Sequence, residues 1–196
     1  MITQWFLTLL RSRSDADGAA RRVKAAGTSP SPLTKFLRED HESLCEALGS
    51  LAASLGGLDA GGTSTRNHLD GVARFVTVLD HHLETHCARE ERVLAPALRE
   101  KFPDLAESIH RVMSEHAGLR DGSRELGLAL AAADRNELGA KRRVVSIGYG
   151  IGQALHCHVC EVERFLLDLA DHMEPGDQKW LAAVLAAPLS ARTEVS

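Results

Sequence analysis

Apolar residues return at three- and four-residue intervals through four long stretches of this chain, the spacing of a helix that buries one side. The first begins near Pro32, a good first-turn residue, and carries Leu33, Phe36, Leu37, Leu44, Leu48, Leu51 and Leu55 to a Gly56-Gly57 stop. After a turn cluster from Gly61 to Thr65, the second runs to about Phe102 on Val72, Phe75, Val76, Leu79, Leu83, Val93 and Leu94. Pro96 is expected to kink or end its regular part. The third opens at Pro103-Asp104 and runs to about Ala133, with Leu105, Ile109, Val112, Met113, Leu119, Leu126 and Leu130 on its stripe. The fourth spans about Lys141 to Met173 on Ile147, Ile151, Leu155, Val162, Phe165, Leu166 and Leu169, and Pro175-Gly176 ends it. A final amphipathic segment, Trp180 to Ala187, is expected to fold back. Long amphipathic helices joined by short loops predict an all-α, antiparallel up-down-up-down four-helix bundle.

Polar residues interrupt those stripes in a pattern of their own. His82, His86 and Glu90 follow at four-residue steps, so they stack along the buried side of the second helix. Buried ionisable groups are costly unless they pair or bind a metal. One histidine at a helix interface is explained by a hydrogen bond to a neighbour; a collinear His, His, Glu asks for more. His41 falls on the flank of the first stripe, His116 inside the third and His158 in the middle of the fourth. In an antiparallel bundle, His41 early, His86 late, His116 early and His158 late all reach the same end. His110 and His156 lie on the far sides of their helices. Imidazole and carboxylate together suit iron, manganese or zinc.

The order His41, His86-x3-Glu90, His116, His158-x4-Glu163 resembles the hemerythrin-like (HHE cation-binding) family over about residues 33–186. HCAREERVLAP from His86 to Pro96 is the most specific part. DHESL at Asp40 to Leu44 and SEHAGLR at Ser114 to Arg120 match the beginnings of the family's first and third helices. The resemblance implies two irons joined by an oxo or hydroxo bridge, with His41 and His86 on one and His116 and His158 on the other. Glu90 and Glu163 would bridge, and a vacant position would take O2, peroxide or nitric oxide; manganese and zinc stay open. Two positions depart from the pattern. Val112 stands where the oxygen carriers have a second helix-three histidine, and Val162 where many relatives have Glu. Glu163 is the expected replacement for the latter, with Glu161, or His156 with Glu161, as alternatives. His82 is either an extra ligand or an outer hydrogen-bonding partner, and Cys160 is a further possible neighbour of the metals.

Composition narrows the remainder. The 196 residues are 44% hydrophobic and 26% charged, with few aromatics, as expected of a helical globular domain. A net charge of -4 offers no nucleic-acid footprint. Residues 1–31 carry +3, which leaves -7 for the remainder, and they read as a basic, flexible arm whose protein partner is unassigned. The domain is expected at 32–187 and a tail at 188–196. No secretory signal or membrane-length apolar run is visible, so a cytoplasmic protein with reduced cysteines is expected. Cys157-x2-Cys160 stands alone, without the second pair a structural zinc site needs. His82-Leu-Glu-Thr-His86 is not the metalloprotease H-E-x-x-H. Gly148-Tyr-Gly-Ile-Gly152 has no preceding strand, so it is no phosphate loop; close helix approach and local flexibility are its alternative explanations. Glu91 and Arg92 read as solvated. Three functions follow from the resemblance: oxygen binding or sensing; a di-iron oxidase or catalase-like enzyme; iron or nitric-oxide handling, including metal-centre repair.

Overall fold

The computed structural model describes residues 31–61 and 65–187. The expected arm helix at Gln4 to Arg11, the tail from 188 and the middle of the turn cluster at 62–64 lie outside the described residues. Helix α1 (Pro32–Asp59) starts as its sequence dictates: the Thr34 N–H donates to Ser31 Oγ at 3.1 Å, and Pro32 occupies the first turn. The second rod begins as α2 (Thr65–His82), passes through wide π turns at Leu83–Cys87 and Glu90–Leu94, and ends as α3 (Ala95–Lys101). A 3-10 turn (Pro103–Leu105) leads into α4 (Ala106–Asp134). The fourth rod is α5 (Ala140–Glu161), a third π turn (Val162–Leu166) and α6 (Leu167–Asp171); α7 (Pro175–Ala186) follows.

The rods go round in chain order. Helix α1 packs on α2 and α5, and α4 packs on the same two, which makes an all-α bundle. Helix α7 folds back as expected, against α1 and the second π turn, with Leu181 and Leu185 buried. Its Trp180 stays on the surface. The disruption expected at Pro96 arrives one turn early and is a widening. Pro96 has no N–H for the Arg92 carbonyl, and the Ala95 N–H instead reaches back five residues to Glu90. In the fourth rod Leu167 does the same to Val162. In the second rod the wide turns thus contain the polar positions His86 and Glu90, and in the fourth the wide turn lies one turn beyond His158.

The apolar core comes in two pieces. One contains Leu44, Leu48, Leu83, Cys87, Leu119, Leu155 and Val159. The other contains Leu33, Leu37, Val93, Val112, Val162 and Leu166. Between them each rod contributes polar residues: His41 between Leu37 and Leu44, His86 and Glu90 between Leu83 and Val93, His116 between Val112 and Leu119, His158 between Leu155 and Val162. All five of these polar side chains are buried.

Close approach explains Gly148. A Cβ there would lie 2.7 Å from Leu55 Cδ2 across the α1–α5 interface, whereas one at Gly150 would meet nothing within 4 Å. Gly148→Val should destabilise the chain by about 1–3 kcal/mol through overpacking. Gly150→Ala, on the exposed side of the same helix, should stabilise it by about 0.5–1 kcal/mol. Denaturant unfolding of the two variants checks both signs; equal effects at the two positions would contradict the packing account.

Candidate metal centre

The middle of the bundle holds a carboxylate that the protein itself does not satisfy. Glu90 is fully buried, and neither Oε1 nor Oε2 has a hydrogen-bond partner. Yet imidazole nitrogens crowd it. Oε1 lies 3.1 Å from His86 Nε2, while Oε2 lies 3.2 Å from His116 Nε2 and 3.9 Å from His158 Nε2. The imidazoles also approach each other, with 3.1 Å between the Nε2 atoms of His41 and His86 and 3.0 Å between those of His116 and His158. These atoms aim at shared points rather than along hydrogen bonds.

The outer ring nitrogens show how the inward aim is fixed. His86 Nδ1 lies 2.9 Å from Asp40 Oδ2, His116 Nδ1 2.8 Å from Glu91 Oε1, and His158 Nδ1 2.9 Å from Glu115 Oε2. His41 Nδ1 faces Glu163 Oε1 at a looser 3.4 Å. The first three rods thus each hand a carboxylate to the histidine of the next, whereas the fourth only approaches the first, and His41 Nδ1 has no hydrogen bond. An Nδ1–H donating to a carboxylate fixes the tautomer and leaves the Nε2 lone pair facing the interior. Two such nitrogens at 3 Å repel unless a proton or a cation sits between them.

The charges and contacts of the layer shift the titration of several of its groups. Burial alone would lower the pKa of His86, but the Glu90 charge, the hydrogen bond to Asp40 and the close approach of Glu90 outweigh it and raise it to about 9. His158 is likewise raised, against burial, by the approach and charge of Glu90, with the hydrogen bond to Glu115 and that residue's charge adding to them. Burial would raise Glu90, yet the His86 charge and the close approach of His116, His158 and His86 hold it well below the ordinary carboxylate range. The hydrogen bond with His86 lowers Asp40. Glu90 is therefore an anion in an apolar shell, surrounded by nitrogens that can carry a proton or bind a metal in its place.

The expected residues separate clearly. His41, His86 and Glu90 place donor atoms within 4.8 Å of one another, and so do Glu90, His116, His158 and Cys87. Glu163 is the other carboxylate expected to bridge. Its half-exposed carboxylate sits at the outer nitrogen of His41, reached from the third π turn, and it belongs to neither set. Glu161 faces Arg111 at 2.9 Å, and Cys160 lies on the outside beside His156 at 3.6 Å. His82 stacks on His86, ring centroids 4.5 Å apart, with its buried Nε2 unpartnered. Burial, then the charges of His86 and His41, push its pKa down to about 3, so its ring is neutral and its lone pair is available.

Three residues came to the site unannounced. Asp40, Glu91 and Glu115 orient ligand-type histidines, and Glu91, expected to be solvated, also accepts from Arg120 at 2.8 Å. The only available signal was an acid directly before His41 and His116, and one directly after Glu90. Cys87, close to the ligand-type residues already in the sequence, is a buried thiol whose pKa burial and the Glu90 charge push up.

A buried carboxylate without hydrogen bonds, ringed by neutral-capable imidazoles with their outer nitrogens anchored, fits divalent or trivalent cations. No curated protein and no solved structure gives a significant match to the chain. The model of one family, described as the hemerythrin HHE cation binding domain, does match, over residues 33–184. That span takes in all four rods and every residue of the polar layer, and on this match the chain belongs to the hemerythrin HHE cation-binding family.

Proposed function

We propose that this chain holds two iron ions between its four rods and binds or reacts with O2 or a related small molecule. The observation that carries the reading is Glu90: a fully buried carboxylate whose two oxygens face different pairs of imidazoles. In this reading His41, His86 and Glu90 hold one ion, and His116, His158 and Glu90 hold the other. Bound iron supplies the redox chemistry and the affinity for oxygen species. Asp40, Glu91 and Glu115 keep the Nδ1 protons of their histidines, so that Nε2 is always the ligand atom. We give Glu163 the matching role on His41 in place of the bridging one. His82, neutral and stacked on His86, lies on the first ion's side as an extra ligand or a positioning group. The apolar clusters on either side keep bulk water from the layer. A cytoplasmic setting, which keeps thiols reduced, belongs to the same reading.

A second reading, a di-iron oxidase or peroxide-decomposing enzyme, is favoured by one feature. A surface cleft of about 360 Å³ is lined by Asp80, Leu83, Glu84, Ala88, Glu91, Arg92 and Arg120. Glu91 joins that cleft to His116, so a molecule held there would lie one residue away from the layer.

Metal analysis of aerobically purified protein should find two irons per chain. Glu90→Ala should lose most of both, and His82→Ala should lower bound iron; unchanged metal content and spectrum in Glu90→Ala would sink the proposal. Mixing the reduced, iron-loaded protein with O2 separates the two readings. A reversible absorption change indicates binding, whereas rapid oxidation, or O2 evolution from added peroxide, indicates an enzyme.

Loading should also release protons. The His86 pKa is raised above its ordinary 6.5 to about 9, so cations must displace its proton at any pH below that. In the metal-free chain its stabilising contribution is complete below about pH 6.5 and is lost as pH rises through about 9. Titration with a divalent cation in weakly buffered solution at pH 7 should release at least one proton per chain, and loading that leaves the pH constant would contradict this.

A further inference from the structure

The two halves of the layer are not equivalent. Glu90 faces His86, four residues before it, on one side, and Cys87, three residues before it, on the other. On a helix both offsets fall on the same face, to either side of the residue they flank. Oε1 accordingly turns to His86, and Oε2 to His116 and His158. The Cys87 sulfur lies on this second side, within 4.8 Å of the donor atoms of Glu90, His116 and His158. Its side chain is fully buried.

A buried cysteine is ordinarily an inert apolar residue, and Cys45 fits that description, buried in the same apolar cluster yet outside both donor sets. Cys87 differs because the atoms around it are ligand atoms, among them the unpartnered Glu90 oxygens. Helix α4 offers only an apolar side chain one turn before His116, the fully buried Val112. The second rod is therefore the source of any further donor on this side.

We propose that Cys87 is a thiolate ligand, so that the ion beside His116 and His158 is held by two nitrogens, one carboxylate oxygen and one sulfur, while the ion beside His41 and His86 has nitrogen and oxygen ligands only. The inference rests on the reading of the layer as a cation site. Binding exchanges the thiol proton for the cation and releases the proton to solvent, as a metal does to any thiol it coordinates. The sulfur makes this half the softer one, with a preference for zinc or iron over manganese and magnesium. It also places an oxidisable group in direct contact with one ion.

The test uses the full chain with Cys157→Ser and Cys160→Ser, which removes the two exposed thiols from the readout. Anaerobic loading with cobalt(II) should give a near-ultraviolet thiolate-to-cobalt charge-transfer band that is lost on adding Cys87→Ser and kept on adding Cys45→Ser. Full cobalt occupancy without the band, or a band that survives Cys87→Ser, overturns the proposal. Should Cys87→Ser fail to fold, X-ray absorption of the zinc-loaded Cys87 protein decides. A sulfur neighbour at about 2.3 Å is expected, and a shell of nitrogen and oxygen alone overturns the proposal. That last result leaves the cation site itself standing, whereas failure to take up either metal removes both.

Discussion

An anionic side chain with no hydrogen bond, buried between two apolar clusters, is the condition everything else in this bundle answers to. Moving a carboxylate out of water costs several kcal/mol even after relaxation, and Glu90 is compensated only by the nitrogens around it. Those nitrogens come from all four rods. Their positions therefore fix the relative heights of the helices: shifting any one rod by a turn would leave Glu90 facing leucine. The polar layer sets the register of the bundle, while the leucines above and below supply its stability. Buried polar groups have this role in coiled coils, where a single buried Asn fixes register at a cost in stability.

The ring of outer carboxylates turns register into chemistry. A histidine held only by packing could present either nitrogen to the interior; one whose Nδ1 donates to a carboxylate presents Nε2. Since each of these carboxylates comes from the preceding rod, the aim of the His86, His116 and His158 rings depends on two helices. The wide turns belong to the same arrangement. In the second rod they contain His86 and Glu90, and in the fourth the turn at Val162–Leu166 carries Glu163 round to His41. An unbroken α-helix would put the side chains beyond each ligand in a different phase.

The helices and the common height of their histidines were legible in the sequence because each depends on spacing within a single helix. His41, His86, Glu90 and His116 sit in or beside apolar stripes, and stripe plus antiparallel topology gives depth. The partners of the outer nitrogens were not legible, because the pairing crosses between helices. Glu91 lies about 100° round from Glu90 on its own helix, so periodicity assigns it to solvent; only the neighbouring rod shows that it reaches His116. The contact of Glu163 with His41 was not legible either, since a five-residue offset from His158 says nothing about the π turn that carries it toward His41. Among the thiols, the C-x2-C pairing drew notice to Cys160, on the outside, while Cys87, inside the HCAREERVLAP stretch, stood next to His86 with nothing in its spacing to mark it as inward-facing.

The two departures from the family's pattern fall on the same side of the layer. Val112 and Val162 are both fully buried, and both belong to the apolar cluster on one side of the layer. The two valines make that side apolar where the third and fourth rods face it. Of the second rod's side chains near the layer, Cys87 belongs to the other cluster together with Leu83, and His82 stacks on His86. The second rod thereby carries His82, His86, Cys87 and Glu90 within nine residues. The other three rods add one histidine each, so every rod still has to hold its height for the two donor sets to close.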